Sequence, residues 1–152
     1  MESRKIALKE FIIRLENTGN EILKNCIKRN TQFSTKFIVQ KILAQNEKQF
    51  KILSRDPNLT EKPLLPKQWI TRQNWNAIQE ELKKNFDLEN LNFIEANHLA
   101  VRLNEYMIEI YRSIQVKTSS TAAKKVFKAM IAQKIQTNLK LKKEYRRLSA
   151  ES

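Results

Sequence analysis

A single glycine, Gly19, in 152 residues is the tightest constraint this sequence places on its fold. Tight β-hairpins draw on glycine for the positive φ that other residues resist, so this chain has almost nowhere to turn a sheet. Its three prolines, Pro57, Pro63 and Pro66, fall within ten residues of one another, leaving long helix-compatible stretches on either side. The expected fold is therefore all-α, with about five helices. The length allows one sizeable core or two small ones.

Periodicity divides the chain. Leu8, Ile12, Leu15, Gly19, Ile22 and Cys26 recur at spacings of 4, 3, 4, 3 and 4, widened by Phe11 and Leu23, and predict a first amphipathic helix. Gly19 inside that stripe marks either a kink or a close helix–helix approach. After a break at Arg29–Gln32, Ser34 or Thr35 is placed to cap a second helix with the stripe Ile38/Val39, Ile42/Leu43, Phe50 and Leu53, so that residues 1–56 form a helical hairpin. Residues 57–67 read as an extended proline-containing linker. Within 68–116, Thr71 is a candidate N-cap, with Ile70 and Trp75 as a hydrophobic staple, for a helix through Ile78, Leu82 and Phe86. Asn92 with Glu95 resembles a capping box for a strongly apolar stretch ending near Ile114. No Gly or Pro stands near Asn104, so 92–115 reads as one helix or as two. Ser119 or Ser120 caps a last helix within 117–152 that turns Ala123, Phe127, Met130, Ile131, Ile135, Leu139 and Tyr145 to one side.

Charge is distributed unequally. Residues 1–56 carry 12 basic and 6 acidic side chains, net +6; residues 57–116 carry 7 and 8, net −1; residues 117–152 carry 10 and 2, net +8. A chain of net charge +13 favours polyanions, and the last helix is its main cation. Lys124, Lys125, Lys128, Lys134, Lys140, Lys142, Lys143, Arg146 and Arg147 are the candidate phosphate contacts there, interrupted only by Glu144. The neutral centre, with Trp69, Trp75, Phe93 and Tyr106, is the candidate partner surface. Glu80, Glu81, Glu89, Glu95, Glu105 and Glu109 add a solvated or partner-facing acidic element. Beyond Phe127 and Tyr145 the basic face lacks the aromatic borders of a membrane-surface helix, and no apolar run approaches the roughly 18 residues of a span, so no membrane partner is expected.

The residues for common chemistries are missing. One glycine supplies neither a phosphate-binding loop nor a dinucleotide fingerprint. One cysteine, Cys26, and one histidine, His98, do not make a zinc site or a disulfide framework. Both lie within predicted apolar helices and read as structural residues, His98 partly buried. No catalytic residue, metal, cofactor or small-molecule substrate is expected.

The pattern Trp75, Ile78, Glu81-Leu82, Phe86, then Leu99-Ala100-x-x-Leu103, then Ile110, is similar to the core spacing of the homeodomain family. The resemblance covers about 45 residues and makes 72–86 the first helix, 92–103 the second and 107–116 the start of the third. It departs from the family in lacking the Trp-Phe, Asn and Arg of a recognition helix, and Arg112 and Gln115 are its only suitable base readers. A small basic chain with a homeobox-like segment also resembles the DNA-binding accessory subunits of DNA N6-adenine methyltransferase assemblies. That resemblance implies a non-catalytic nuclear subunit that grips the DNA backbone without sequence preference, with Arg112 and the last helix as contacts, and docks other protein subunits through its centre. The alternative is a basic structural subunit of a large organellar, for instance mitochondrial, or ribonucleoprotein assembly.

Overall fold

The computed structural model describes residues 4–57, 59, 64–69 and 72–151, the side chains of residues 72–74 and 151 aside. Among these, five α-helices form an all-α fold around one continuous hydrophobic cluster that runs from Ile6 to Ile131. The stripe read at residues 8–26 becomes helix α1, Leu8–Cys26, and all eight of its apolar and glycine positions are buried. A Cβ at Gly19 would stand 2.5 Å from Met107 Sδ, so this glycine serves a close helix–helix approach.

Helix α2, Phe33–Leu53, begins ahead of both expected caps. Thr35 is instead buried, and its hydroxyl donates to the Leu91 carbonyl at 2.7 Å. Asn30 reaches the same turn, its amide donating to Leu91 O at 2.8 Å while its Oδ1 accepts from Gln32 N–H at 2.9 Å. The α1–α2 turn is thus tied to residues 88–91, and buried polar atoms there are satisfied by a neighbouring turn rather than by local capping. Helix α2 leans on the fourth helix more than on α1, which it meets through Asn46 Nδ2 donating to Asn20 Oδ1 at 3.2 Å.

The proline-containing stretch adds a feature the all-α expectation left out. Strand β1, Lys5–Ala7, pairs antiparallel with β2, Leu64–Pro66, in the register Lys5↔Pro66, Ile6↔Leu65 and Ala7↔Leu64. Residues 58 and 60–63 of the expected linker lie outside the described residues; the short ladder at its end buries Ile6 and Leu65 at once. A 3-10 turn, Lys67–Trp69, follows, and α3 runs Arg72–Asn85. The expected cap Thr71 and staple residue Ile70 lie outside the described residues; Trp75, Ile78 and Leu82 face the core.

Helix α4, Phe93–Lys117, touches each of the other four helices. Asn92 and Glu95 form the capping box that the sequence announced. The helix is continuous, so the two-helix division implied by the homeodomain resemblance does not form. Asn104, where the turn would fall, is helical and buried, and its Nδ2 donates to Asn138 Oδ1 at 3.0 Å on the last helix. Helix α5, Thr121–Glu151, is capped by Ser120, whose Oγ accepts from Ala123 N–H at 3.1 Å.

The buried line of α5 departs from the one read in sequence. Ala123, Phe127, Met130 and Ile131 are buried as expected, but Ile135 and Leu139 are exposed, and Lys134, Thr137 and Asn138 take their places. The reason is angular: steps of four residues from Ile131 drift about 40° each off an axis turning 100° per residue. Alternating steps of three and four hold the face toward α4, and they land on the polar residues. Asn138 Nδ2 donates to Val101 O at 3.3 Å and Asn97 Nδ2 to Leu141 O at 2.8 Å, which fixes the antiparallel α4–α5 register.

Candidate functional site

Helix α5 presents its cations in two groups. Lys124, Lys125 and Lys128 are exposed near its start, and Lys140, Lys142, Lys143, Arg146 and Arg147 near its end. Lys128 and Lys140 are 12 residues apart, about 18 Å at 1.5 Å per residue. Between them the exposed positions are uncharged: Ala129, Ala132, Ile135, Gln136 and Leu139. Two cations of the second group have acidic neighbours. Arg147 pairs with Glu144 through Nη2 at 2.5 Å and Nε at 3.1 Å, and these bonds hold the Glu144 carboxyl below its ordinary range. Lys142 Nζ lies 4.0 Å from Glu105 Oε1. Both pairs are solvent-exposed and compete weakly with an incoming phosphate. Arg112, on α4, is also exposed.

Lys134 is not available to an anion. Its Nζ stands 3.4 Å from Glu16 Oε2, with both side chains 10% exposed. The other oxygen of Glu16 accepts a 2.5 Å hydrogen bond from the Tyr111 hydroxyl, so α1, α4 and α5 meet at one buried polar cluster. Sequence reasoning placed Lys134 among the phosphate contacts because charge alone does not say which way a helix is turned. The sign it missed is that Glu16 follows Ile12 by four residues, on the stripe of α1.

The four candidate partner residues separate. Trp75 is 6% exposed and belongs to the core, packed there by the same spacing that buries Ile78 and Leu82, so it offers no surface. Phe93 is half-buried at the start of α4, 13 residues and about 20 Å before Tyr106. Trp69 and Tyr106 come together, lining one cavity of about 340 Å³ between α3 and α4 with Ile110, Glu81, Glu109 and Lys117. At 100° per residue, Tyr106, Glu109 and Ser113 leave α4 on the side opposite Asn97 and Asn104, which bond α5. Helix α4 therefore stands between the cavity and the basic helix.

One surface feature went unread in the sequence. Phe33 and Phe37 are 83% and 56% exposed and stack on each other with ring centroids 6.3 Å apart. Each lies two residues, about 200°, from buried Thr35, and that offset was the available signal. His98 is more exposed than expected; its ring rests between Phe86 at 5.5 Å and Tyr145 at 5.3 Å. Cys26 is buried, and desolvation, partly offset by Lys83, pushes its thiol from 9.0 to about 11. Among the described residues no three His, Cys, Asp or Glu side chains are placed to hold a metal ion, and no helix is long and apolar enough to cross a membrane. Comparison with protein families, with curated proteins and with solved structures finds no match for this chain.

Proposed function

We propose that this chain is a non-catalytic DNA-binding accessory subunit of a nuclear multi-protein complex, gripping the phosphate backbone through α5 and docking a partner subunit on the far side of α4. The observation that carries this reading is the exposure of eight of the nine candidate cations of α5, in two groups about 18 Å apart along one continuous helix. Lysines predominate there. An ammonium on a flexible stem neutralises phosphate as a point charge without the fork geometry that reads base edges, so the grip is sequence-tolerant. Each neutralised phosphate releases counterions, which supplies affinity that weakens as salt rises.

The sequence resemblance makes a DNA N6-adenine methyltransferase assembly the setting in which such a subunit fits. Exposed Phe33, Phe37, Val116 and Leu139 are consistent with a chain that works inside an assembly. Amine acylation of the native protein, with and without duplex DNA, tests the proposal. Protection of Lys124, Lys125, Lys128, Lys140, Lys142 and Lys143, with Lys83 and Lys84 of α3 unchanged, is the expected result. Protection spread evenly over all exposed lysines, or none, rules it out.

A further inference from the structure

We infer that the cavity between α3 and α4 is a docking pocket for an arginine side chain carried by a basic segment of a partner protein. The inference deepens the partner-docking half of the proposed function and rests on it. Trp69 and Tyr106 supply aromatic walls, Ile110 an apolar one, and Glu81 and Glu109 two carboxylates. In a chain of net charge +13 these carboxylates face a single ammonium, Lys117, in the cavity lining among the described residues. Neither Glu81 nor Glu109 has an ion-pair partner within 4.0 Å among the described residues; Glu81 accepts only from Asn85 Nδ2, at 3.1 Å. The lining thus sets two carboxylates against one ammonium in a chain whose net charge is positive, which selects a cationic occupant and repels an anionic one.

The aromatic walls narrow the cation. A guanidinium is planar and weakly hydrated, stacks on an indole or phenol face, and still directs several N–H donors at carboxylates beyond the ring edge. The fold already shows this pairing beside the pocket, where the Arg102 guanidinium lies 5.1 Å from the Tyr106 ring centroid and its Nη1 donates to Glu105 at 3.2 Å. Among the described residues no cation covers Trp69, which leaves the indole for an incoming side chain. A volume of about 340 Å³ suits one or two side chains and not a helix, the dimensions of an anchor in an interface.

The test uses the full-length chain and an end-blocked pentapeptide with arginine at its centre, followed by the NMR shifts of the Trp69 indole N–H and the Tyr106 and Ile110 amides. Saturable shifts at these positions are expected, absent with the citrulline peptide. The double variant Glu81→Gln, Glu109→Gln, both positions exposed and so tolerant of the change, is expected to weaken binding about tenfold or more. Its DNA affinity is expected to match the native chain, which separates failure here from failure of the DNA reading. Equal shifts from the citrulline peptide, shifts confined to other surfaces, or no binding would overturn the inference. So would a dimer of the chain that dissolves in the double variant, because the occupant would then be a second copy.

Discussion

Lys134 and Glu16, 118 positions apart in sequence, form a buried ion pair at 3.4 Å that joins the last helix to the first. Glu16 also accepts from Tyr111, so its carboxylate is shared between a cation and a phenol from two different helices. A buried pair of this kind gains little over an apolar replacement, since desolvation offsets most of the Coulomb attraction, but it is intolerant of losing one member. It thereby fixes how α5 is rotated, and with it which lysines face water.

Replacing Lys134 with Ala strands a buried carboxylate and is expected to destabilise the fold by roughly 3–5 kcal/mol. The double replacement Glu16→Gln, Lys134→Met should recover most of that stability in urea titrations. DNA affinity of the folded Lys134→Met protein should equal that of the native chain. A drop matching that of an exposed α5 lysine would place Lys134 at the phosphate surface after all.

Burial first, and the Glu16 carboxylate second, push the Tyr111 phenol well above its ordinary 10.0. Unfolded chains release this proton near pH 10 while the folded chain keeps it, so the stabilisation is complete below pH 10 and declines as pH rises beyond it. The stability difference between native protein and Tyr111→Phe should therefore hold steady below pH 10 and shrink as pH rises above it, by up to ~1.4 kcal/mol per pH unit. A difference independent of pH contradicts the shift.

The space at Gly19 is closed by the flexible end of Met107. Gly19→Ala gains about 1 kcal/mol of helix propensity and displaces only that thioether, so it should lie within about 1 kcal/mol of native stability. Gly19→Val should cost roughly 1–3 kcal/mol, and less in a Met107→Ala background. Additive effects in thermal or urea melts would argue against the contact.

With its thiol raised to about 11, Cys26 is almost wholly protonated at pH 8 in the fold. Alkylation by iodoacetamide at pH 8 should be about a hundredfold slower in native buffer than in denaturing urea, from the thiolate fraction alone. Comparable rates would mean that α1 opens readily at its C-terminal end.

How much of this was legible depends on the signal each feature leaves. The α1 stripe and the Asn92–Glu95 box are local patterns, and both appear as read. Trp75 was also legible, because its spacing to Ile78 and Leu82 marks a core position; its aromatic chemistry drew it wrongly to the surface. The rotation of α5 was not, because Ile135 and Leu139 are the more apolar choice and only the partner Glu16 makes Lys134 the buried one. The β1–β2 ladder is three residues a side, too short for any periodicity. The α3–α4 cavity joins Trp69 to Tyr106 across 37 positions, a neighbourhood that exists only after folding.

The direct test of the phosphate grip is the salt dependence of DNA affinity for two variants of equal charge. One replaces Lys124, Lys128, Lys140 and Lys143 of α5 with Gln; the other replaces Lys9, Lys28, Lys48 and Lys51, exposed on and beside α1 and α2. The slope of log affinity against log salt should flatten by about 0.9 for each phosphate that the first variant no longer neutralises, and hold its native value in the second. Equal slopes for the two variants would show that net charge alone binds DNA, and would remove α5 from its proposed role.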